Sequence, residues 1–210
     1  MTADTATLRD ALALVARAAD YAARRHVGQQ RKGARKEPYA NHLAEVVHLL
    51  AQHLVEPDSA LLAAAWLHDV LEDTCPTREE YERTRADMEK QFGPVVVRLV
   101  LEVTDDKSLP QHERKRLQIE TTSSKSREAR LLKLADKTSN VFSVAVDPPL
   151  GWDTARLRSY VQWAQAVAEN CRGLNAELEK AFDVAVAAAH AQILATDPSY
   201  DHLFSSSTSR

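Results

Sequence analysis

One imidazole and three carboxylates fall within six positions of the chain, at His68, Asp69, Glu72 and Asp73. If this segment is helical, the four side chains share one face, because positions i, i+1, i+4 and i+5 are neighbours on a helix surface. Pro76 follows shortly, so we expect the helix to end here, where its dipole disfavours anions. Three like charges at that end repel one another unless a cation neutralises them. The spacing therefore indicates a metal site.

A metal held by His68 and Asp69 alone would be weakly bound, so further ligands are expected elsewhere in the chain. His42 begins a predicted helix beside a basic loop, and Asp136 lies in an apolar helical stretch, where a buried carboxylate needs a partner. Asn140 follows Asp136 by one turn and shares its face. Two imidazoles and two carboxylates suit a borderline divalent ion such as Mn²⁺, Fe²⁺, Co²⁺ or Zn²⁺. Such an ion acidifies a bound water, which would allow hydrolysis near neutral pH.

These residues also have ordinary structural interpretations. A His-Asp pair often occurs by chance, and Glu72 and Asp73 would fit a solvated helix end. Asp136 could simply be paired with Lys133 or Lys137. Spacing alone leaves these interpretations open beside metal binding.

Basic segments lie on both sides of this site in the sequence. Arg31, Lys32, Arg35 and Lys36 lie in one loop, and residues 107–137 carry nine Lys or Arg against four Asp or Glu. A charge run is usually a solvated loop, but two basic segments around an acidic metal site indicate an anionic substrate. Phosphates fit best, because Arg and Lys bind their oxygens through charge-assisted hydrogen bonds. The tryptophans are assigned to packing: Trp66, Trp152 and Trp163.

Helices must position these residues. The chain has 210 residues with only five glycines, and it shows no alternating strand pattern. This predicts an all-α fold, a single-domain helical bundle of about eight to ten helices. The expected domain covers residues 1–197, and the Ser-rich segment 198–210 is expected to be a disordered tail. The expected helices cover about 7–26, 39–54, 59–73, 78–92 after a capping box at Thr77, 95–103, 111–121, a long stretch to 146, 152–171 and 174–196.

The bulk composition excludes several classes of protein. A net charge of −3 argues against a nucleic-acid binder, which would usually be strongly basic. No stretch approaches the ~20 apolar residues of a membrane span, and the N-terminus lacks a signal-peptide core. Cys75 and Cys171 form no CxxC pair, so we expect a reduced, cytoplasmic protein with no membrane partner. A homo-oligomer stays open.

Several motifs occur in a recognisable order along about residues 15–180. On these motifs the chain resembles the hydrolase domain of the RelA/SpoT alarmone enzymes in its stand-alone form, the small alarmone hydrolases of the HD superfamily. The segments that carry the resemblance are His26, Gln29, Arg31-Lys32, Pro38–His42, His68–Thr74, Glu102–Pro110, Glu113–Gln118, Lys133–Lys137, Gly151-Trp152, Arg156, Tyr160 and Trp163-Ala164.

The resemblance implies roles for individual residues. It implies that one Mn²⁺ per subunit, or another divalent ion, is held by His42, His68, Asp69 and Asp136. It implies that the attacking water is handled by an acid/base and an orienter, Glu72 and Asp73, in a site arranged by Asn140. Substrate contacts are implied for Arg31, Lys32, Tyr39, Arg156 and Tyr160.

The implied reaction removes the 3′-pyrophosphate from guanosine tetra- and pentaphosphate alarmones, which would dampen the stringent response. The chain shows no synthetase domain, so we expect it to degrade alarmones and not to make them. Three alternatives stay open. They are another HD phosphohydrolase, such as an NADPH 2′-phosphatase or a nucleotidase; a non-catalytic nucleotide sensor; and a helical protein that binds nucleic acid through the basic loop.

Overall fold

The computed structural model describes residues 3–56 and 58–197, and this part of the chain is all-α, as predicted. The tail predicted for 198–210 lies outside the described residues. Within them, β pairing is limited to an isolated bridge between Gln30 and Pro38. No helix in the described ranges is both long and apolar enough to span a membrane. The helices are α1 (Ala3–Arg25), α2 (Tyr39–His53), α3 (Ser59–Leu67), α4 (Val70–Asp73), α5 (Arg78–Phe92), α6 (Pro94–Val103), α7 (Gln111–Thr121), a 3₁₀ turn (Thr122–Ser124), α8 (Arg127–Val146), α9 (Thr154–Glu169) and α10 (Ala176–Thr196).

Helices α3 and α8 form the centre of the fold. An α-helix that is apolar on all sides is stable only when other elements surround it. Helix α3 is of this kind, and it packs against α1, α2 and α6. Helix α8 packs mainly along α10 and also contacts α2, α6 and α9. Because α2, α3 and α8 meet in the core, residues far apart in the sequence reach one site.

Side-chain caps fix where several helices begin. The Asp58 carboxylate accepts hydrogen bonds from the N–H groups of Ala60 and Leu61 at the start of α3. The Thr77 hydroxyl accepts from the Glu80 N–H at the start of α5, as the capping-box pattern predicts. Such caps satisfy backbone donors that the first helical turn leaves unpaired. Equivalent caps begin α8, α9 and α10, at Ser126, Asp153 and Asn175.

The prediction of one continuous helix through the acidic cluster was wrong. Helix α3 ends at Leu67, and α4 begins at Val70, so His68 and Asp69 form a turn between two helices. The His68 ring contributes to this break, because its Nδ1 lies 2.7 Å from the Ala65 carbonyl oxygen at the end of α3. Glu72 and Asp73 therefore lie in the short α4 and not at the C-terminal end of a long helix.

The basic loop, residues 28–38, is tied to the segment between α8 and α9. The Leu150 N–H donates to the Lys32 carbonyl at 2.9 Å, and the Ala34 N–H donates to Asp147 Oδ1 at 2.9 Å. Gly33 lies between these two contacts. A Cβ atom at Gly33 would lie 1.9 Å from Asp147 Oδ2, so the close approach requires glycine. These ties hold the loop over the C-terminal end of α8.

Candidate metal centre and substrate cavity

Four side chains meet where α2, the α3–α4 turn and α8 come together. Ligand atoms of His42, His68 and Asp136 all lie within 4.8 Å of one another. Asp136 Oδ1 is 3.3 Å from His42 Nε2 and 3.8 Å from His68 Nε2. Asp69 Oδ2 is 3.0 Å from His68 Nε2 and 3.6 Å from His42 Nε2. The structure thus brings together the residues that the sequence nominated as ligands.

Hydrogen bonds on the far side of each ring leave both Nε2 atoms facing the centre. The His68 Nδ1–H donates to the Ala65 carbonyl, which can only accept. The His42 Nδ1 lies 2.9 Å from Ser139 Oγ. Both Nε2 atoms are buried and have no hydrogen-bond partner among the described residues. Because an unpaired buried nitrogen is costly, two such atoms beside two carboxylates fit a site for a divalent cation.

The charges of the site are strongly coupled. Burial acts to raise the pKa of Asp69, but the positive charge of His68 and the close approach of both imidazoles outweigh it and hold that pKa well below its usual range. Burial opposes the charged form of His68, yet Asp69 and Asp136 raise its pKa well above the usual range. The imidazole and the carboxylates thus favour opposite charges on one another.

Both carboxylate oxygens of Asp136 accept hydrogen bonds from neighbouring side chains. Oδ2 lies 2.9 Å from Lys137 Nζ, and the Asn140 amide donates to Oδ1 at 2.6 Å. Lys133, the other suggested partner, donates instead to the Val103 carbonyl at 3.2 Å. The lysine pair and the cluster of possible ligands therefore coexist, because they use different oxygens of Asp136.

Glu72 and Asp73 lie at the edge of this centre. Glu72 Oε2 accepts the Asp105 N–H at 3.1 Å, and Glu72 Oε1 is 3.4 Å from Lys107 Nζ. Burial, with help from neighbouring carboxylates, raises the pKa of Glu72 above its usual value. Asp73 accepts hydrogen bonds from Lys107 and from the Gln29 amide, both at 2.9 Å. A carboxyl with a raised pKa is suited to exchanging protons, whereas Asp73 is held in place by two donors.

A cavity of about 380 Å³ opens over these carboxylates, and four of the five predicted substrate contacts line it: Lys32, Tyr39, Arg156 and Tyr160. Arg31 lines an adjoining cavity of about 200 Å³. Two of the five also make internal contacts that the sequence does not reveal. The Tyr39 hydroxyl donates to Asp69 Oδ2 at 2.6 Å, and Arg31 Nη1 lies 3.6 Å from Glu45 Oε2.

Sequence reasoning assigned no individual role to several other cavity residues. Lys115 Nζ and Lys137 Nζ lie 4.8 and 4.6 Å from the ring centroid of Trp163, and the Arg156 guanidinium lies 4.4 Å from that of Trp152. Both tryptophans therefore line the cavity besides packing against the core. Lys107 and Arg114 also line the cavity, and the motifs Glu102–Pro110 and Glu113–Gln118 were the available signal for them.

Comparison with known proteins identifies relatives over most of the chain. A model of the HD domain matches residues 18–165. A Drosophila melanogaster protein named guanosine-3′,5′-bis(diphosphate) 3′-pyrophosphohydrolase MESH1 is 47% identical over 163 residues, 78% of this chain and 87% of that protein. The Homo sapiens protein of that name is 44% identical over a stretch that covers 78% of this chain and 88% of that protein. A solved structure of a metazoan orthologue of SpoT that hydrolyses ppGpp is similar with a TM-score of 0.76, at 44% identity over 82% of this chain and 93% of that chain.

Proposed function

The chain belongs to the HD-domain family, among the stand-alone guanosine-3′,5′-bis(diphosphate) 3′-pyrophosphohydrolases, and we propose that it removes the 3′-pyrophosphate from guanosine tetra- and pentaphosphate. The products are pyrophosphate and GDP or GTP. One observation carries the proposal: two buried, unpartnered imidazole nitrogens and two carboxylates converge at the base of a cavity lined by cations and aromatic rings. We take residues 1–197 as one hydrolase domain that acts in the cytoplasm, without nucleic acid or membrane.

The proposed cofactor is one Mn²⁺ ion per subunit, held by His42, His68, Asp69 and Asp136. Two imidazole nitrogens and two carboxylate oxygens are donors that this ion accepts, and an ion held by them would also bind water and substrate. When bound, the ion would lower the pKa of a water molecule and neutralise charge on phosphoryl oxygens. The Tyr39 hydroxyl and the Asn140 amide hold Asp69 and Asp136 in orientation, because each donates to a carboxylate oxygen.

Glu72 is the proposed acid/base and Asp73 the proposed orienter of the attacking water. The water oxygen bonds to the phosphorus next to the ribose 3′-oxygen, and the bond from that phosphorus to the 3′-oxygen breaks. Glu72 takes a proton from the water, and a proton is returned to the 3′-oxygen. The raised pKa of Glu72 suits both transfers, since an efficient proton carrier has a pKa near the working pH. Asp73, fixed by Gln29 and Lys107, would accept a hydrogen bond from the water's other O–H.

The remaining cavity residues would bind the nucleotide. Phosphoryl transfer depends mainly on positioning and on stabilising negative charge. Lys107, Arg114 and Lys115 offer charge-assisted hydrogen bonds to phosphate oxygens, and Lys32 extends this set from the basic loop. The rings of Trp152 and Tyr160, with Arg156, offer stacking surfaces for the base.

Pyrophosphate release from guanosine tetraphosphate tests the proposal directly. The purified protein, freed of metal with a chelator, is assayed with and without added Mn²⁺, beside NADPH and guanosine 3′-monophosphate as competing substrates. We expect metal-dependent release of pyrophosphate from the alarmone and little turnover of the other two. Faster phosphate release from NADPH or the monophosphate would replace this function by another phosphohydrolase activity. Tight alarmone binding without turnover would identify a sensor.

A further inference from the structure

We propose that Ser139 and Glu45 are positioning residues that lock the tautomer of His42 and so present its Nε2 to the metal. This proposal rests on the metal site of the proposed function and adds two residues to it. Neither residue belongs to the motifs that nominate the ligands. Glu45 lies on α2, three residues after His42, and the packing of α2 against α8 brings Ser139 to both.

The direction of each hydrogen bond follows from the chemistry of the groups. Ser139 Oγ is 2.6 Å from Glu45 Oε2 and 2.9 Å from His42 Nδ1. A carboxylate only accepts, so the single hydroxyl hydrogen of Ser139 points to Glu45. The hydroxyl oxygen must then accept from His42, which places the ring hydrogen on Nδ1. The neutral ring consequently has its lone pair on Nε2, the atom that faces Asp69 and Asp136.

Burial makes this arrangement specific. His42 is 1% exposed and Ser139 is 3% exposed, so water does not compete readily for the Nδ1–H. A serine alone would not fix the tautomer, because a hydroxyl both donates and accepts. The carboxylate of Glu45 removes this ambiguity. Such partners behind a ligand typically change metal affinity by about 10-fold to 100-fold when they are lost.

Glu45 is itself held by the basic loop. Arg31 Nη1 lies 3.6 Å from Oε2, the same oxygen that accepts from Ser139. The Arg31 side chain is only 12% exposed, and it restrains a carboxylate that is 46% exposed. The chain of contacts therefore runs from Arg31 through Glu45 and Ser139 to His42.

Histidine ¹⁵N NMR on the metal-free protein at about pH 8.5, above the ordinary histidine range, reads the tautomer without any turnover. His42 signals are those missing from the spectrum of a His42→Asn variant. We expect the wild-type ring to carry its hydrogen on Nδ1. Ser139→Ala and Glu45→Ala should lose this preference. Glu45→Gln should weaken it, because an amide can either accept from Ser139 or donate to it.

Titration with Mn²⁺ alone, followed by electron paramagnetic resonance, provides the second measurement. We expect Ser139→Ala to bind Mn²⁺ about 10-fold more weakly. The matched control is Thr138→Val, which removes a neighbouring buried hydroxyl that donates only to its own helix, at the Leu134 carbonyl. Its affinity should stay within about twofold of wild type.

A Ser139→Ala protein with the wild-type tautomer and wild-type Mn²⁺ affinity would overturn the proposal, as would an equal loss in Thr138→Val. If Ser139→Ala does not fold, the two Glu45 variants decide, because that side chain reaches the surface. A wild-type protein that locks His42 but releases no pyrophosphate would refute the proposed function and leave this inference standing. If the enzyme is active but the Ser139 and Glu45 variants leave the His42 tautomer unchanged, only the inference is refuted.

Discussion

Glu72 is the residue at which the proposed metal binding and the proposed proton transfer can be tested separately. Its Oε2 accepts the Asp105 N–H, and Lys107 and Arg114 lie 3.4 and 3.8 Å from its Oε1. None of these neighbours is among the nominated ligands. A change at Glu72 that keeps its shape should therefore leave the imidazole and carboxylate donors in place.

Glu72→Gln is expected to retain Mn²⁺ and lose turnover. Glutamine fills the same space and can still accept the Asp105 N–H, but it cannot carry a proton at neutral pH. We expect kcat to fall by about 10²-fold to 10⁴-fold. Steady-state assays and Mn²⁺ titration are run on the same preparation, with the exposed Glu79→Gln on α5 as a control that should match wild type. Parallel loss of Mn²⁺ would make Glu72 a ligand or a structural residue.

For individual residues, the sequence predicts which side chains form the site better than it predicts the contacts they make. The nominated ligands come from the spacing around His68 and from the resemblance, and the structure places them together. The contact between Tyr39 and Asp69 and the contact between Arg31 and Glu45 were not predicted. Both depend on how α2, the basic loop and the α3–α4 turn pack, and local spacing contains no information on that packing.

The basic loop approaches the segment between α8 and α9 closely at Gly33. Gly33→Ala should push the basic loop away from Asp147, because the added Cβ has no room. We expect a loss of about 1–3 kcal/mol in unfolding free energy, as for other overpacked sites. The KM for guanosine tetraphosphate should also rise, since the loop carries Lys32. Urea unfolding and steady-state kinetics measure the two effects.

Gly173→Ala is the matched control for the loop. Gly173 has a φ of +80° and open space around its Cβ position, so alanine there introduces backbone strain and no clash. It should lower stability with KM unchanged. A similar rise of KM in both variants would contradict the role of the Gly33 contact.

The break between α3 and α4 marks the limit of pattern-based prediction of elements. Apolar periodicity located most of the other helices to within a few residues, because their buried faces repeat with the helical period. It missed the break because the His68 ring competes for a backbone carbonyl, and side-chain competition of this kind leaves periodicity unchanged.

Lys133 on α8 makes stability depend on pH. Burial, reinforced by Lys137, lowers its pKa to about 8 from an ordinary value of 10.5. Between these values the unfolded chain binds more protons than the folded one, so stability rises with pH across this window, and the full cost of the buried charge is present below about pH 8. Relative to Lys133→Met, the wild type should gain roughly 2 kcal/mol between about pH 7.5 and about pH 9.5.

Urea unfolding in the presence of a chelator measures this difference. Comparing the two proteins removes the contribution of tyrosines that also titrate near the upper end of the range. Lys90→Met, an exposed change on α5, should follow the wild-type curve. Parallel curves for wild type and Lys133→Met would show that the buried amine keeps its ordinary pKa.

For the whole molecule, a ligand that binds only the folded state adds to its stability. Mn²⁺ at about 100 times its Kd should add about 2.7 kcal/mol, which corresponds to a rise in Tm of about 5–10 °C for a domain of this size. Thermal unfolding with a chelator and then with Mn²⁺ measures the shift. Asp136→Asn should show little shift, because it weakens a donor of the site. An equal shift in that variant would indicate binding elsewhere on the protein.

The fold class itself followed from composition and periodicity, whereas the cavity did not. Its cations and rings come from α2, α7, α8, α9 and the loops between helices. The packing of α7 and α8 against α9 brings most of them to one opening. Their individual contacts depend on the tertiary structure.

The donors of the centre are divided between two parts of the chain. The exposed Ser123 and Ser124, in the turn between α7 and α8, separate His42, His68 and Asp69 from Asp136. A chain divided at this turn would yield two pieces, neither with the full set of ligands. Co-expressed as separate polypeptides, the pieces would regain Mn²⁺ binding only on association. The centre could then serve as a split reporter, in which a bound ion signals that two tethered proteins have met.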